Sequence, residues 1–294
     1  MGLLVAKKYP TQLFLNAADH TYVECGNGGK GWGCWGGKSG GTAFNSGTGS
    51  TKRADCIAKP NERAGITCYL VNGVCHQAAN RILLPAGILV TAARGYSVSS
   101  AIFGTYGKVG FWPCYAPFDQ CPGVTGDLPE CLAAKSPKPR SVKAVVPKLP
   151  LLKGEDRHIR SIKQAYNRFD HPEATPLDAM RFNADLFDRE VRFRLGEVTA
   201  KTTKGLRIAK ESVELEHWRL VDALKNKSIL PAEFIKSFNR MTIKFQDDIA
   251  NSLKKAQHKK LLGLDRDERV VLADPAIIKA IYGTKVVKEV YGKI

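Results

Sequence analysis

Cys75 is the residue whose type and setting most resemble a nucleophile. It stands in Asn72-Gly73-Val74-Cys75-His76-Gln77-Ala78-Ala79-Asn80-Arg81. Asn72-Gly73 is a turn signal, and Ala78, Ala79, Ile82 and Leu83 give a helical apolar face that Pro85 and Gly87 end. A cysteine in the first helical turn feels the positive end of the helix dipole, which favours thiolate over thiol. A thiol nucleophile also needs a base within hydrogen-bond reach and a third group to orient that base. Only His20 and His76, of six histidines, lie in the first half. On a helix His76 points about 100° away from its neighbour Cys75, which suits a local hydrogen bond or a place in the pocket wall. His20 opens a predicted strand running into a tight hairpin, a position that presents an imidazole at a sheet edge. The predicted catalytic pair is therefore Cys75 and His20. Candidates to orient the histidine are Asp19, Glu24, Ser39 and Asn80. Gln77 and the Cys75 amide are candidates for an oxyanion hole, and Trp32 and Trp35 for the wall of a substrate cleft.

The elements that would position these residues change character along the chain. Residues 1–132 hold 21 of the 27 glycines and all eight cysteines, and read as a β-rich domain with one nucleophile helix. Thr21–Cys25 and Gly31–Trp35 read as strands about a Gly26–Gly29 hairpin turn, followed by a Gly/Ser/Thr-rich loop from Gly36 to Ser50. Ile66–Val71 and Ile88–Val90 also read as strands, Tyr96–Phe103 as a strand or short helix, and 111–131 as an ordered loop. Residues 133–155, with Lys-Pro, Val-Pro and Leu-Pro steps, read as a basic linker. Residues 156–294 lack cysteine and carry helical stripes: Leu177 to Val198, Leu206 to Leu224 and Phe234 to Leu253, with a last short helix from Asp274-Pro275 to Tyr282-Gly283. The predicted fold class is α+β: a papain-like domain followed by an all-α helical domain.

The order histidine on a strand, second strand, then cysteine opening a helix resembles the circularly permuted papain-like thiol enzymes, including the permuted NlpC-type and lecithin-retinol-acyltransferase-like families. Gly73-Val74-Cys75-x-x-x-Ala79 is also similar to the transglutaminase-like nucleophile turn. In that arrangement, however, the histidine follows the cysteine, and apart from His76 none does so before His158. The resemblance spans roughly residues 15–110. It implies acyl transfer from an amide or ester through a thioester, ending in hydrolysis, deamidation or transfer. The next strand of these families carries a polar orienting residue, and Gly31–Gly37 here has none.

Other chemistry is less well supported. Gly26-x-Gly28-x-x-Gly31 runs into Trp-Gly-Cys-Trp rather than a helix, so no dinucleotide site is expected. Gly37-Lys38-Ser39 lacks the glycine of a phosphate loop, and no Cys-x-x-Cys pair suggests zinc. No cofactor and no metal are expected. Residues 133–294 carry 34 Lys and Arg against 21 Asp and Glu, so +13 of the net +17 lies there. A protein partner or an anionic surface is the implied contact of that half, unless ion pairs on a solvated face account for it. No apolar run is long enough for a transmembrane segment, and Met1–Lys8 does not read as a signal peptide. With the resemblance, these features suit a secreted bacterial effector or toxin, made in the cytoplasm and exported by a signal-independent system. The competing reading is a non-catalytic domain stapled by disulfides, fused to a basic helical module for nucleic acid, membrane or protein.

Overall fold

A computed structural model describes residues 1–11, 17–33, 40–110, 119–132, 152–169 and 175–292, without the side chains of 61–67. Trp35, Ser39, Cys34, Cys114 and most of the expected 133–155 linker lie outside the described residues.

Four strands form one antiparallel sheet in the order β3-β2-β1-β4. They are β1 (Gly2–Pro10), β2 (Asp19–Cys25), β3 (Gly31–Trp32) and β4 (Thr42–Gly49). Period-two alternation splits the sheet into two faces. Leu4 and Ala6 pair with Cys25 and Val23 and turn into a core with Trp32 and Phe44. Lys7 and Tyr9 pair with Tyr22 and His20 on the opposite face. The helices of the first half are α1 (Thr51–Cys68), α2 (Cys75–Ile82), α3 (Tyr96–Phe103) and α4 (Pro129–Leu132).

This half is less β-rich than its sequence suggests. β1 and β4 came from stretches that carried no strand signal, β4 inside the expected Gly/Ser/Thr-rich loop. The Ile66–Val71 segment is the end of α1 and a turn. Ile88–Val90 is irregular, and Tyr96–Phe103 is helical. Ala43, Ser46 and Gly47 suit β4 because it lies against β1 and the Leu84–Ala86 turn, where a Cβ on Gly47 would come within 3.1 Å of Ala86 and Ile88.

The second half is helical as expected: α5 (Glu155–Phe169), α6 (Pro176–Leu195), α7 (Ala200–Lys225), α8 (Pro231–Ser252), α9 (Lys255–Leu262) and α10 (Pro275–Tyr291). The α8 stripe Phe234, Phe238, Phe245, Ile249 is buried, whereas Leu177, the expected start of the α6 stripe, is exposed. α10 runs past Gly283, whose φ of 85° kinks it, to Tyr291.

The two halves share their core. One cluster joins Tyr69, Val74, Ile102 and Phe103 to Phe187, Leu206, Phe238 and Ile277. Another joins Ile57, Leu89 and Tyr106 to Ile159, Ile162 and Tyr166. A buried ionic network crosses the same boundary. Glu214 of α7 forms ion pairs with Lys108 at 2.9 Å and with Lys210 at 2.5 Å. Lys210 also donates to the Ala101 carbonyl at 2.8 Å, and His217 Nε2 to the Leu70 carbonyl at 2.8 Å. The composition boundary near residue 132 is thus not a boundary in packing.

Candidate functional site

The turn that delivers Cys75 is strained. Leu70 has φ 63°, a region unfavourable for a bulky residue. It is held there by its amide on the Gly73 carbonyl at 2.9 Å and by His217 on its own carbonyl. Gly73 is required by close approach, since a Cβ would lie 2.8 Å from Gln77 Cβ. Cys75 then becomes the first residue of α2.

Among the described residues β3 pairs with Val23 and Glu24, and α2 packs against β2. Cys75 Sγ lies 3.7 Å from the Asp19 carbonyl oxygen, and the Thr21 backbone and hydroxyl act on the same sulfur. The thiol therefore meets β2 at Asp19 and Thr21, on the face that Val23 and Cys25 share with α2, whereas strand alternation turns the His20 ring to the opposite face. His20 is 1 % exposed and packs against Tyr9, its cross-strand partner, with ring centroids 4.7 Å apart.

The group facing His20 comes from the other half. Asp274 Oδ2 lies 3.9 Å from His20 Nδ1. Asp274 is the N-cap of α10, its Oδ1 accepting the Ala276 amide at 2.8 Å. Its backbone is fixed from the first half: Tyr69 Oη accepts the Asp274 amide at 2.7 Å and donates to the Leu272 carbonyl at 3.2 Å. Val271 docks just before β2, accepting the Ala18 amide at 3.0 Å. Burial raises the Asp274 carboxyl above its ordinary range, against the pull of the Ala276 amide and His20.

Cys75 does not rest as a thiolate. Burial pushes its thiol up to about 12, hydrogen bonds from Thr21 opposing and the Asp274 charge reinforcing the shift. Moving from 9 to about 12 corresponds to roughly 4 kcal/mol, whereas a helix terminus contributes about 0.3–1 kcal/mol. Desolvation overrides the dipole on which the sequence expectation rested.

The remaining candidates have other roles. His76 is fully buried, with Nε2 3.0 Å from the Asp19 carbonyl and Nδ1 2.8 Å from Ser99 Oγ. Burial lowers it to about 4, so it is a neutral tie joining α2, β2 and α3. Gln77 is not an oxyanion donor: its Oε1 accepts the Val74 amide, and its Nε2 donates to Ser99 and Gly104. Asn80 accepts the Val90 amide and donates to the Thr105 carbonyl, so it does not orient His20. The Asp19 carboxylate is taken by Lys8 at 2.9 Å and the Arg94 amide at 2.9 Å. Glu24 pairs with Lys7 at 3.0 Å. Trp32 is not a cleft wall: it is 1 % exposed and donates to Asp55 at 3.0 Å. Asp274 was missed because it lies about 250 residues from His20 in sequence; Asp-Pro marked only a helix start.

Among the described residues two disulfides, Cys25–Cys131 and Cys56–Cys121, tie the 119–132 segment to β2 and α1, while Cys75 is a free thiol. Among the described residues no helix is long and apolar enough to cross a membrane. Many cations of the helical half are spent on neighbours, such as Arg207 on Glu211, Arg219 on Glu216 and Lys244 on Asp248. No family model, curated protein or solved structure matches the chain.

Proposed function

We propose that this protein is a cysteine-dependent acyl-transfer enzyme acting on an amide or ester through a thioester at Cys75, with His20 as base and Asp274 as the group that orients it. What supports this reading is a free thiol at a helix start and a buried carboxylate, Asp274, whose charge acts on that thiol and which stands 3.9 Å from His20 Nδ1. A thiol opening a helix that packs on a sheet is what the papain-like resemblance implies, and on this reading the acid would come from α10 in place of the next strand.

The resting thiol is neutral, so base and nucleophile act together. His20 takes the sulfur proton as the S–C bond forms and the carbonyl π pair moves to oxygen. The Cys75 and His76 amides at the start of α2, which have no intrahelical acceptor, face the developing oxyanion. Collapse breaks the C–N or C–O bond, and His20 returns its proton to the leaving amine or alcohol. Water, or an acceptor amine or alcohol, then attacks the thioester, giving its proton to His20, which passes it to the sulfur as the C–S bond breaks. Asp274 keeps the Nδ1–H tautomer facing itself and stabilises the imidazolium at each stage.

The test uses p-nitrophenyl acetate, a small activated ester. Brief exposure is expected to place one acetyl group on Cys75, released by hydroxylamine and absent from Cys75→Ala. Equal p-nitrophenolate release by Cys75→Ala, or acetyl only elsewhere, overturns the proposal.

A further inference from the structure

A cavity of about 270 Å³ lies between the Leu89–Tyr96 stretch of the first half and helices α5 and α6. Leu89, Ile159 and Ile162 give it apolar walls, and Arg194 and Glu155 line it. Glu190 is the support at its base, with both oxygens occupied. Oε1 accepts from Arg194 Nε, and Oε2 lies 2.7 Å from His158 Nε2. His158 stacks flat on Phe193, centroids 4.2 Å apart and planes 6° apart. Burial alone would raise the Glu190 carboxyl, but His158 and Arg194 hold it down at about 2, so it is a fixed counter-ion.

That arrangement leaves two groups of opposite sign. Arg194 is 15 % exposed, and its terminal nitrogens make no hydrogen bond among the described residues. Glu155 is 9 % exposed and gives one oxygen to the Leu152 amide at 2.6 Å; its other oxygen accepts nothing among the described residues. The two side chains form no ion pair with each other. A guanidinium fork matches a carboxylate bidentately, and a lone carboxylate oxygen matches an ammonium. Apolar walls with a few convergent polar groups are the usual make-up of a small-ligand site.

We propose that this cavity binds a free α-amino acid with an aliphatic side chain, its carboxylate on the Arg194 terminal nitrogens, its ammonium on Glu155, and its side chain against Leu89, Ile159 and Ile162. Tyr96 lines the same cavity and lies edge-on to His76, ring centroids 6.0 Å apart. An occupant would therefore touch the residue that packs on α2.

The test is calorimetric titration of the full chain with L- and D-leucine, leucinamide, 4-methylpentanoate and inorganic phosphate. At least one leucine enantiomer should saturate below about 10 mM, with leucinamide and 4-methylpentanoate each about ten-fold weaker or worse. Arg194→Gln and Glu155→Gln should each lose about ten-fold or more. Ile159→Trp keeps both charges but fills the space, and should also abolish binding while the circular dichroism spectrum stays native. The proposal is overturned by no leucine binding at about 10 mM, by phosphate binding without leucine binding, or by leucine binding to Ile159→Trp as to the wild type. The readout is binding alone, so it stands or falls apart from the chemistry at Cys75.

Discussion

Replacing Asp274 by asparagine separates its electrostatic role from its structural one. Asparagine can still accept the Ala276 amide, which Asp274 Oδ1 holds at 2.8 Å, and asparagine and aspartate are near-equal N-caps. Stability should therefore change by less than about 1 kcal/mol. What is lost is the charge. At 3.9 Å and an effective dielectric near 20, a carboxylate stabilises an imidazolium by about 4 kcal/mol. That corresponds to about three powers of ten in rate. The assay is single-turnover acetylation of Cys75 by p-nitrophenyl acetate at neutral pH, followed as p-nitrophenolate release, beside thermal melts. Asp274→Asn should slow the step by about 10³-fold with little change in melting. Asp19→Asn, whose carboxylate is engaged by Lys8 and Arg94, should leave the rate within about threefold. A rate for Asp274→Asn within threefold of the wild type, in a protein where His20→Gln has lost activity, would refute the reasoning.

Alkylation of Cys75 by iodoacetamide, which requires thiolate, should keep climbing from pH 7 through pH 10 with no plateau near the ordinary thiol value, because burial holds the group at about 12; a plateau near pH 8.5 would show an unshifted thiol. Acid should destabilise the fold. His76 is held at about 4 against about 6.5 unfolded, so the unfolded chain binds the extra proton first. This contribution is present in full above pH 6.5 and is lost as pH falls towards 4, on the order of 3 kcal/mol; urea midpoints that stay flat over that window would contradict it. Glu214→Ala strands Lys108 and Lys210 in the interior and should cost about 3–5 kcal/mol in denaturant titrations. A loss below about 1 kcal/mol would mean that water reaches the network.

The local setting of Cys75 and His20 was more legible than the scaffold around them. Cys75 at a helix start and His20 on a strand were legible because an Asn-Gly turn, a helical stripe and a hairpin are local signals. Asp274 was not legible: its approach to His20 depends on Tyr69 and on the docking of Val271, contacts spanning about 200 residues or more that leave no local pattern. Gln77 and Asn80 looked free for catalysis because the sequence hides the backbone groups they satisfy at Val74, Val90 and Thr105. The ionisation state of Cys75 was misread for a related reason. A helix dipole can be inferred from a turn and a stripe, whereas the burial that outweighs it comes from the packing of α2 on β2. The two-part composition likewise concealed a shared core, because apolar stripes do not say which half they will meet.

The central claim is that His20 serves the Cys75 sulfur. Its most direct test is a crystal structure of the chain acetylated at Cys75. His20 Nε2 is expected within about 3–4 Å of the sulfur or of the water that attacks the thioester, with Nδ1 turned to Asp274. An imidazole turned away from the thioester, with Asp274 engaged elsewhere, would contradict it.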